Sequence, residues 1–267
     1  MKYYYPEGKT KALTFSYDDG QIHDIRLAEI LRGHGLKGTF NLNSGTLAYE
    51  DNSFFVNRYK LAEIYEGHEI AVHGVEHKNL LNCTDAEVIS EIVNDRIALE
   101  NLTGAPVQGM AYAYGAYDKR IMRLLKTAGI KYCRTVGENQ WFDVPSDFLA
   151  WDSSCHHNNE LMKKGDEFLS LPDWKELPVM YVWGHSFELA GDNTWGLIEE
   201  FAEKMQNRPE IWYATNGEIF DYVQAIRRLE FSADGKMVKN PTAVTVWYHG
   251  VGGKAESIAP GELKKLN

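Results

Sequence analysis

Short apolar runs alternate with longer amphipathic stretches along most of the chain. Residues 13–17, 37–43, 69–77, 107–114, 130–136, 178–183 and 210–215 read as strands: β-branched and aromatic residues dominate, and glycine or polar residues close each run. Residues 148–152 form a further short candidate. Between them, apolar positions recur at helical spacing over 21–33, 60–67, 84–102, 118–128, 161–169, 195–205 and 221–229. Thr84 and Glu87 have the spacing of a capping box, and Asp118 stands where an N-cap belongs. Strands alternating with helices, without an internal repeat, predict an α/β fold of the (β/α) barrel kind. Residues 1–230 are expected to form the barrel. Residues 231–267, with a hairpin-type turn at 233–236 and an alternating run at 242–248, are expected to form a small β appendage.

The candidate chemistry sits where the strands stop. The first strand ends in Asp18-Asp19-Gly20, and two adjacent carboxylates repel unless a cation compensates them. The run 69–77 reads as a strand ending in His73 and His77. A carboxylate with two imidazoles suits a divalent metal, zinc first, with Co2+, Ni2+ or Fe2+ as further candidates. Strand ends of such folds gather on one rim, where active sites form. His156 and His157 are adjacent on an extended segment, so they are expected to point apart and not to share an ion.

Thr14-Phe15-Ser16-Tyr17-Asp18-Asp19-Gly20 resembles the first motif of the NodB-homology polysaccharide deacetylases, carbohydrate esterase family 4. His73-Gly74-Val75-Glu76-His77 resembles their second motif, Tyr112-Ala113-Tyr114-Gly115 a degenerate third, and Val182-Trp183-Gly184-His185 the late histidine motif. The resemblance implies a distorted seven-stranded barrel and a hydrolase that removes acetyl groups from an N- or O-acetylated sugar. It implies Asp19, His73 and His77 as metal ligands, Asp18 as general base, His185 as general acid, and the backbone N–H at Tyr114 as an oxyanion donor. The chain departs from the family at Ala111, where an arginine normally orients the base; Arg134, at the end of the next strand, is the expected substitute. Trp151, His157, Trp183, Glu188 and Trp195 are expected to line the substrate pocket.

Composition narrows the partners. A net charge of -10 disfavours nucleic acid and anionic membranes, and no run approaches a membrane span. Cys83, Cys133 and Cys155 form neither a CxxC pair nor an even framework, which fits a reducing compartment. The start shows no leader-type apolar segment, so the chain as written is expected in the cytoplasm, or outside only if a leader has been removed. Long polysaccharides lie outside cells. That tension keeps two other functions open: hydrolysis of small linear or cyclic amides, as in allantoinase-like proteins, and a catalytically silent carbohydrate-binding domain. The sequence leaves oligomeric state open.

Overall fold

The computed structural model describes residues 1–266. Its centre is the Lys11–Asp18 strand, in which every residue is buried. Burial on both faces is what a parallel sheet covered by helices requires. One edge of this strand pairs in parallel with Val179–His185, setting Asp18 opposite His185. The other edge is shared. Ile211–Tyr213 pairs with its beginning and Gly38–Leu42 with its end, where Asp18 faces Asn41. Glu69–Val72, Gly109–Ala111 and Tyr132–Glu138 continue the sheet in parallel.

The segment from Trp151 to His156 brings the two ends of the sheet together. Trp151–Ser153 pairs with Tyr132–Glu138 across a bulge, and Cys155–His156 pairs with Val179–His185. Between them the Ser154 N–H donates to the Tyr181 carbonyl at 2.7 Å. The strand order thus returns on itself through one irregular joint, in keeping with the expected distorted barrel.

Several elements lie where the pattern put them, including the helices Leu161–Leu169 and Trp195–Met205. The Asp85–Thr103 helix starts with the Thr84–Glu87 capping box and ends at Gly104 in the left-handed region. Its faces differ from the expectation. Ile97 is exposed, while Glu91 and Asp95 are buried. The strand before the histidines is also shorter than expected. It stops at Val72, leaving His73 just past its end and His77 in a loop with positive φ.

The tail differs more. The run expected at 242–248 is a strand only at Val246–His249, because Thr242 folds back in a turn onto Asn240. That strand pairs with Ala255–Ile258 on one side and with Tyr3–Tyr4 on the other, so the first residues of the chain complete the tail's sheet. The Tyr222 hydroxyl donates to the Tyr4 carbonyl at 2.5 Å and accepts from the Trp247 N–H at 3.0 Å, which ties this sheet to the Asn216–Arg227 helix. Among the described residues no helix is long and apolar enough to cross a membrane.

Candidate active site

Five of the expected groups meet at the carboxyl ends of the strands. Asp18 Oδ2 lies 3.8 Å from His73 Nε2 and 4.0 Å from His185 Nε2. Asp19 Oδ1 lies 3.6 Å from His73 Nε2 and 3.7 Å from His77 Nε2, and the two imidazole nitrogens are 3.1 Å apart. The two carboxylates serve different neighbours because the chain turns between them. Asp18 still has strand geometry, whereas Asp19 has φ 82 and its N–H bonds the Asn41 carbonyl at 3.0 Å.

The donor set fits a divalent cation. His73 Nδ1 pairs with the Ala111 carbonyl at 2.9 Å, which fixes the proton there and leaves Nε2 as a lone pair facing Asp19. Burial, reinforced by the neighbouring His73, pushes His77 below its ordinary pKa and keeps it in the neutral form that ligation needs. Side-chain ligand atoms of Asp19, His73 and His77 all lie within 4.8 Å of one another.

Two acids that the sequence analysis did not single out hold this loop. Asp95 accepts from the N–H groups of Ser44 at 2.8 Å, His73 at 3.1 Å and Gly74 at 3.0 Å. Glu91, one helical turn earlier, accepts from the Glu76 N–H at 2.7 Å. Gly74 has φ +89, and a Cβ there would stand 2.8 Å from Glu91 Oε1, so both conformation and space call for glycine. Burial pushes Asp95 up to about 6 against the pull of these hydrogen bonds. The available signal was two acids four residues apart within an otherwise apolar helix face.

Arg134 lies against Asp18. Its Nη2 donates to Asp18 Oδ2, Nε to Ser16 Oγ at 3.3 Å, and Nη1 to the Thr135 carbonyl at 3.0 Å. The register explains the substitution. Arg134 is the direct cross-strand partner of Ala111, so a guanidinium missing from one strand is supplied from the next, and the small Ala111 side chain leaves it room. Trp183 backs the guanidinium at 4.2 Å. Asn41 Nδ2 donates to the other carboxylate oxygen of Asp18 at 2.8 Å. Burial alone would raise the Asp18 pKa. Arg134, with His73 and His185, overcomes it and holds the carboxyl below the usual range.

His185 is held from behind by Glu188. Glu188 accepts from the His185 N–H at 3.0 Å and places Oε2 3.4 Å from His185 Nδ1, leaving Nε2 toward Asp18. Burial opposes the charged imidazole, but the bond to Glu188 and the charges of Asp18, Glu188 and Asp19 raise its pKa above the ordinary value. Glu188, expected as a substrate contact, turns its carboxylate to histidines. The His-x-x-Glu spacing at a helix start was the signal for it.

Three other expected pocket residues are placed elsewhere. Trp151 is 1% exposed and packs among Tyr132, Phe148 and Tyr181, because its strand turns that side chain into the core. Trp151→Ala should accordingly cost about 3–5 kcal/mol of stability with little change in KM, checked by denaturant unfolding beside kinetics. Trp195 is buried under Arg26 and packs against the core. His157 is fully buried and stacks on Tyr17, with ring centroids 5.6 Å apart. His156 and His157 do not point apart. The strand ends at His156, the chain turns, and both rings approach Glu188. Of the expected pocket set Trp183 stands beside Arg134 and Glu188 beside His185, and His157 approaches Glu188 from the buried side. The exposed rings there are Tyr114, 4.5 Å from the His77 ring, and Phe187, 5.1 Å from the His185 ring. Phe187 was missed, since nothing in the sequence marks which aromatic stays exposed.

The polysaccharide deacetylase family model matches residues 5–133. The peptidoglycan-N-acetylglucosamine deacetylase PgdA of Listeria monocytogenes is 28% identical over 119 residues, covering 43% of this chain and only 24% of the listerial protein. A Mycobacterium smegmatis structure grouped with the polysaccharide deacetylases superposes with a TM-score of 0.61 at 19% identity, over 85% of this chain and 94% of that one. A Bacillus anthracis carbohydrate esterase family 4 pseudoenzyme superposes with a TM-score of 0.52 at 15% identity, over 82% of this chain and 68% of that one. At such identities structural likeness speaks for the fold alone, and function must be argued from the site. Arg134, His185 and Glu188 lie beyond the family match and stand on geometry. The matched residues, their motifs and the shared fold make residues 5–133 similar to a polysaccharide deacetylase domain of the NodB-homology type.

Proposed function

We propose that this chain is a metal-dependent hydrolase that removes acetyl groups from an N- or O-acetylated sugar or oligosaccharide. The observation that carries this reading is the convergence of Asp18, Asp19, His73, His77 and His185 within contact of one another at one rim. A silent carbohydrate-binding domain has no need of that set. The listerial relative's name specifies N-acetylglucosamine units of peptidoglycan, so N-acetyl sugars come first as candidate substrates.

Asp19, His73 and His77 would hold the metal. Once bound, a divalent ion such as zinc supplies a Lewis acid that acidifies water and polarises an acyl oxygen. The chain's own groups do the rest. Asp18, kept ionised by Arg134, accepts the proton of the attacking water. The N–H at Tyr114 would serve as the donor to the oxyanion that develops on the acyl carbon. His185 gives its Nε2 proton to the departing amine or alkoxide. Tyr114 and Phe187 offer ring faces to the sugar on either side.

His185 must be protonated to act as the acid, and its raised pKa extends that form to higher pH. The alkaline limb of kcat/KM should thus lie above about 6.5. Glu188→Gln removes the charge that raises it, so the limb should move to lower pH; a limb that stays in place would remove the coupling. The substrate is tested by acetate release from N-acetylated chito-oligosaccharides and O-acetylated xylo-oligosaccharides. Release from either class supports deacetylation. No release from any of them, with metal shown to be bound, would turn the account toward small amides or a silent domain.

A further inference from the structure

Glu188 also belongs to a second cluster that the chemistry above leaves unused. Its Oε2 is 3.0 Å from His156 Nε2 and 3.5 Å from His157 Nε2, and ligand atoms of the three residues all lie within 4.8 Å of one another. His157 is fully buried, yet neither ring nitrogen has a hydrogen-bond partner among the described residues. A buried polar atom without a partner is costly, so His157 Nε2, which faces Glu188, calls for a missing one. In a tetrahedral zinc site with bonds of about 2.0–2.2 Å, neighbouring ligand atoms stand roughly 3.4 Å apart. The separations around Glu188 Oε2 are of that size. So are the 3.1–3.7 Å separations within the Asp19, His73 and His77 set.

We propose that His156, His157 and Glu188 form a second divalent-cation site, for zinc or another late first-row metal, beside the catalytic acid. The site is open to an arriving ion, since the side chains of His156 and Glu188 are 19% and 25% exposed. One interaction opposes it. The Asn158 N–H donates to His156 Nδ1 at 3.2 Å, which puts the imidazole proton on Nε2, facing Glu188. A cation at Nε2 requires that proton to move to Nδ1 and the Asn158 N–H to turn to water. That single exposed hydrogen bond is given up for ligation by two imidazoles and a carboxylate.

A consequence follows for turnover, and it rests on His185 acting as the acid. Glu188 Oε2 also faces His185 Nδ1 at 3.4 Å. A cation that takes this carboxylate weakens its hold on His185, so filling the second site throttles the enzyme.

The test counts cobalt(II) bound by the chelator-stripped full chain at saturation. Two ions per chain are expected for the wild type, one for His156→Ala and one for Asp19→Asn. His156→Asn, a smaller change of shape, should also bind one and serves if the alanine variant does not fold. A single ion in the wild type, or two in a folded His156 variant, overturns the site. The second equivalent should lower acetate release by about tenfold or more in the wild type and not in the His156 variant; equal loss in both overturns the coupling. The two readings fail separately. One bound ion at saturation with acetate release leaves deacetylation intact, whereas two bound ions at saturation with no acetate release even at one equivalent leaves the second site and removes the deacetylase reading.

Discussion

Asp18→Asn should keep the metal and lose turnover. The ligands Asp19, His73 and His77 are untouched, so binding of one cobalt or zinc at that set should persist. The variant side chain cannot take a proton from water, and kcat should fall by about 10²–10⁴. Asparagine has the volume of aspartate, and Asn41 and Arg134 still surround it. The loss of charge nonetheless leaves the Arg134 guanidinium, 1% exposed, without its counter-ion. Some loss of thermal stability should therefore accompany the loss of rate, and metal content must be measured on the same sample. Wild-type kcat with full metal occupancy would remove Asp18 as the base.

Arg134→Met should do the converse damage, by stranding the carboxylate. Breaking a buried pair by deleting one partner typically costs about 3–5 kcal/mol. The sign of the pH dependence follows from the direction of the Asp18 shift. Its pKa is held low in the fold, so the pair contributes stability above the unfolded value of about 3.9 and loses it as pH falls through the folded one. The deficit of the variant should be greatest near neutral pH and shrink in acid, as read from denaturant midpoints across pH. The acid limb of kcat should move to higher pH, because Asp18 without its cation holds a proton longer. Arg134→Lys keeps a charge but loses the contact to Ser16 and the stacking on Trp183, so it should restore only part of either property. A variant with unchanged stability and an unchanged acid limb would show that Arg134 does not support the base.

The helices were legible because their signals are local. Thr84 with Glu87 fixed one helix start, and 161–169 and 195–205 carry uninterrupted helical periodicity. The reacting groups were legible for another reason: each sits at or just past the end of an apolar run, where polarity changes abruptly. The side that a strand residue faces was not legible. Trp151 and Asp152 differ by one position and point to opposite sides, and only the pairing register decides which one enters the core. The same lack left open that Trp195 is buried in the core cluster and pictured His156 and His157 as divergent. Arg134 shows how such a gap can be bridged. Looking to the next strand found a cation, although Arg134 stands third in Tyr132–Glu138 and not at its end, and its pairing opposite Ala111 explains why it reaches Asp18. Glu188, Asp95 and Glu91 carry faint marks, namely acids at capping or turn spacing, whose targets appear only in three dimensions.

Metal-dependent deacetylation is tested most directly by acetate release from the preferred oligosaccharide by one preparation of wild-type protein. It is measured after chelator stripping, and again after one equivalent of zinc or cobalt is returned. The account predicts negligible release from stripped protein and recovery on reloading, with Asp19→Asn failing to recover under the same conditions. Equal release from stripped and reloaded protein, with metal content confirmed at each stage, would contradict it.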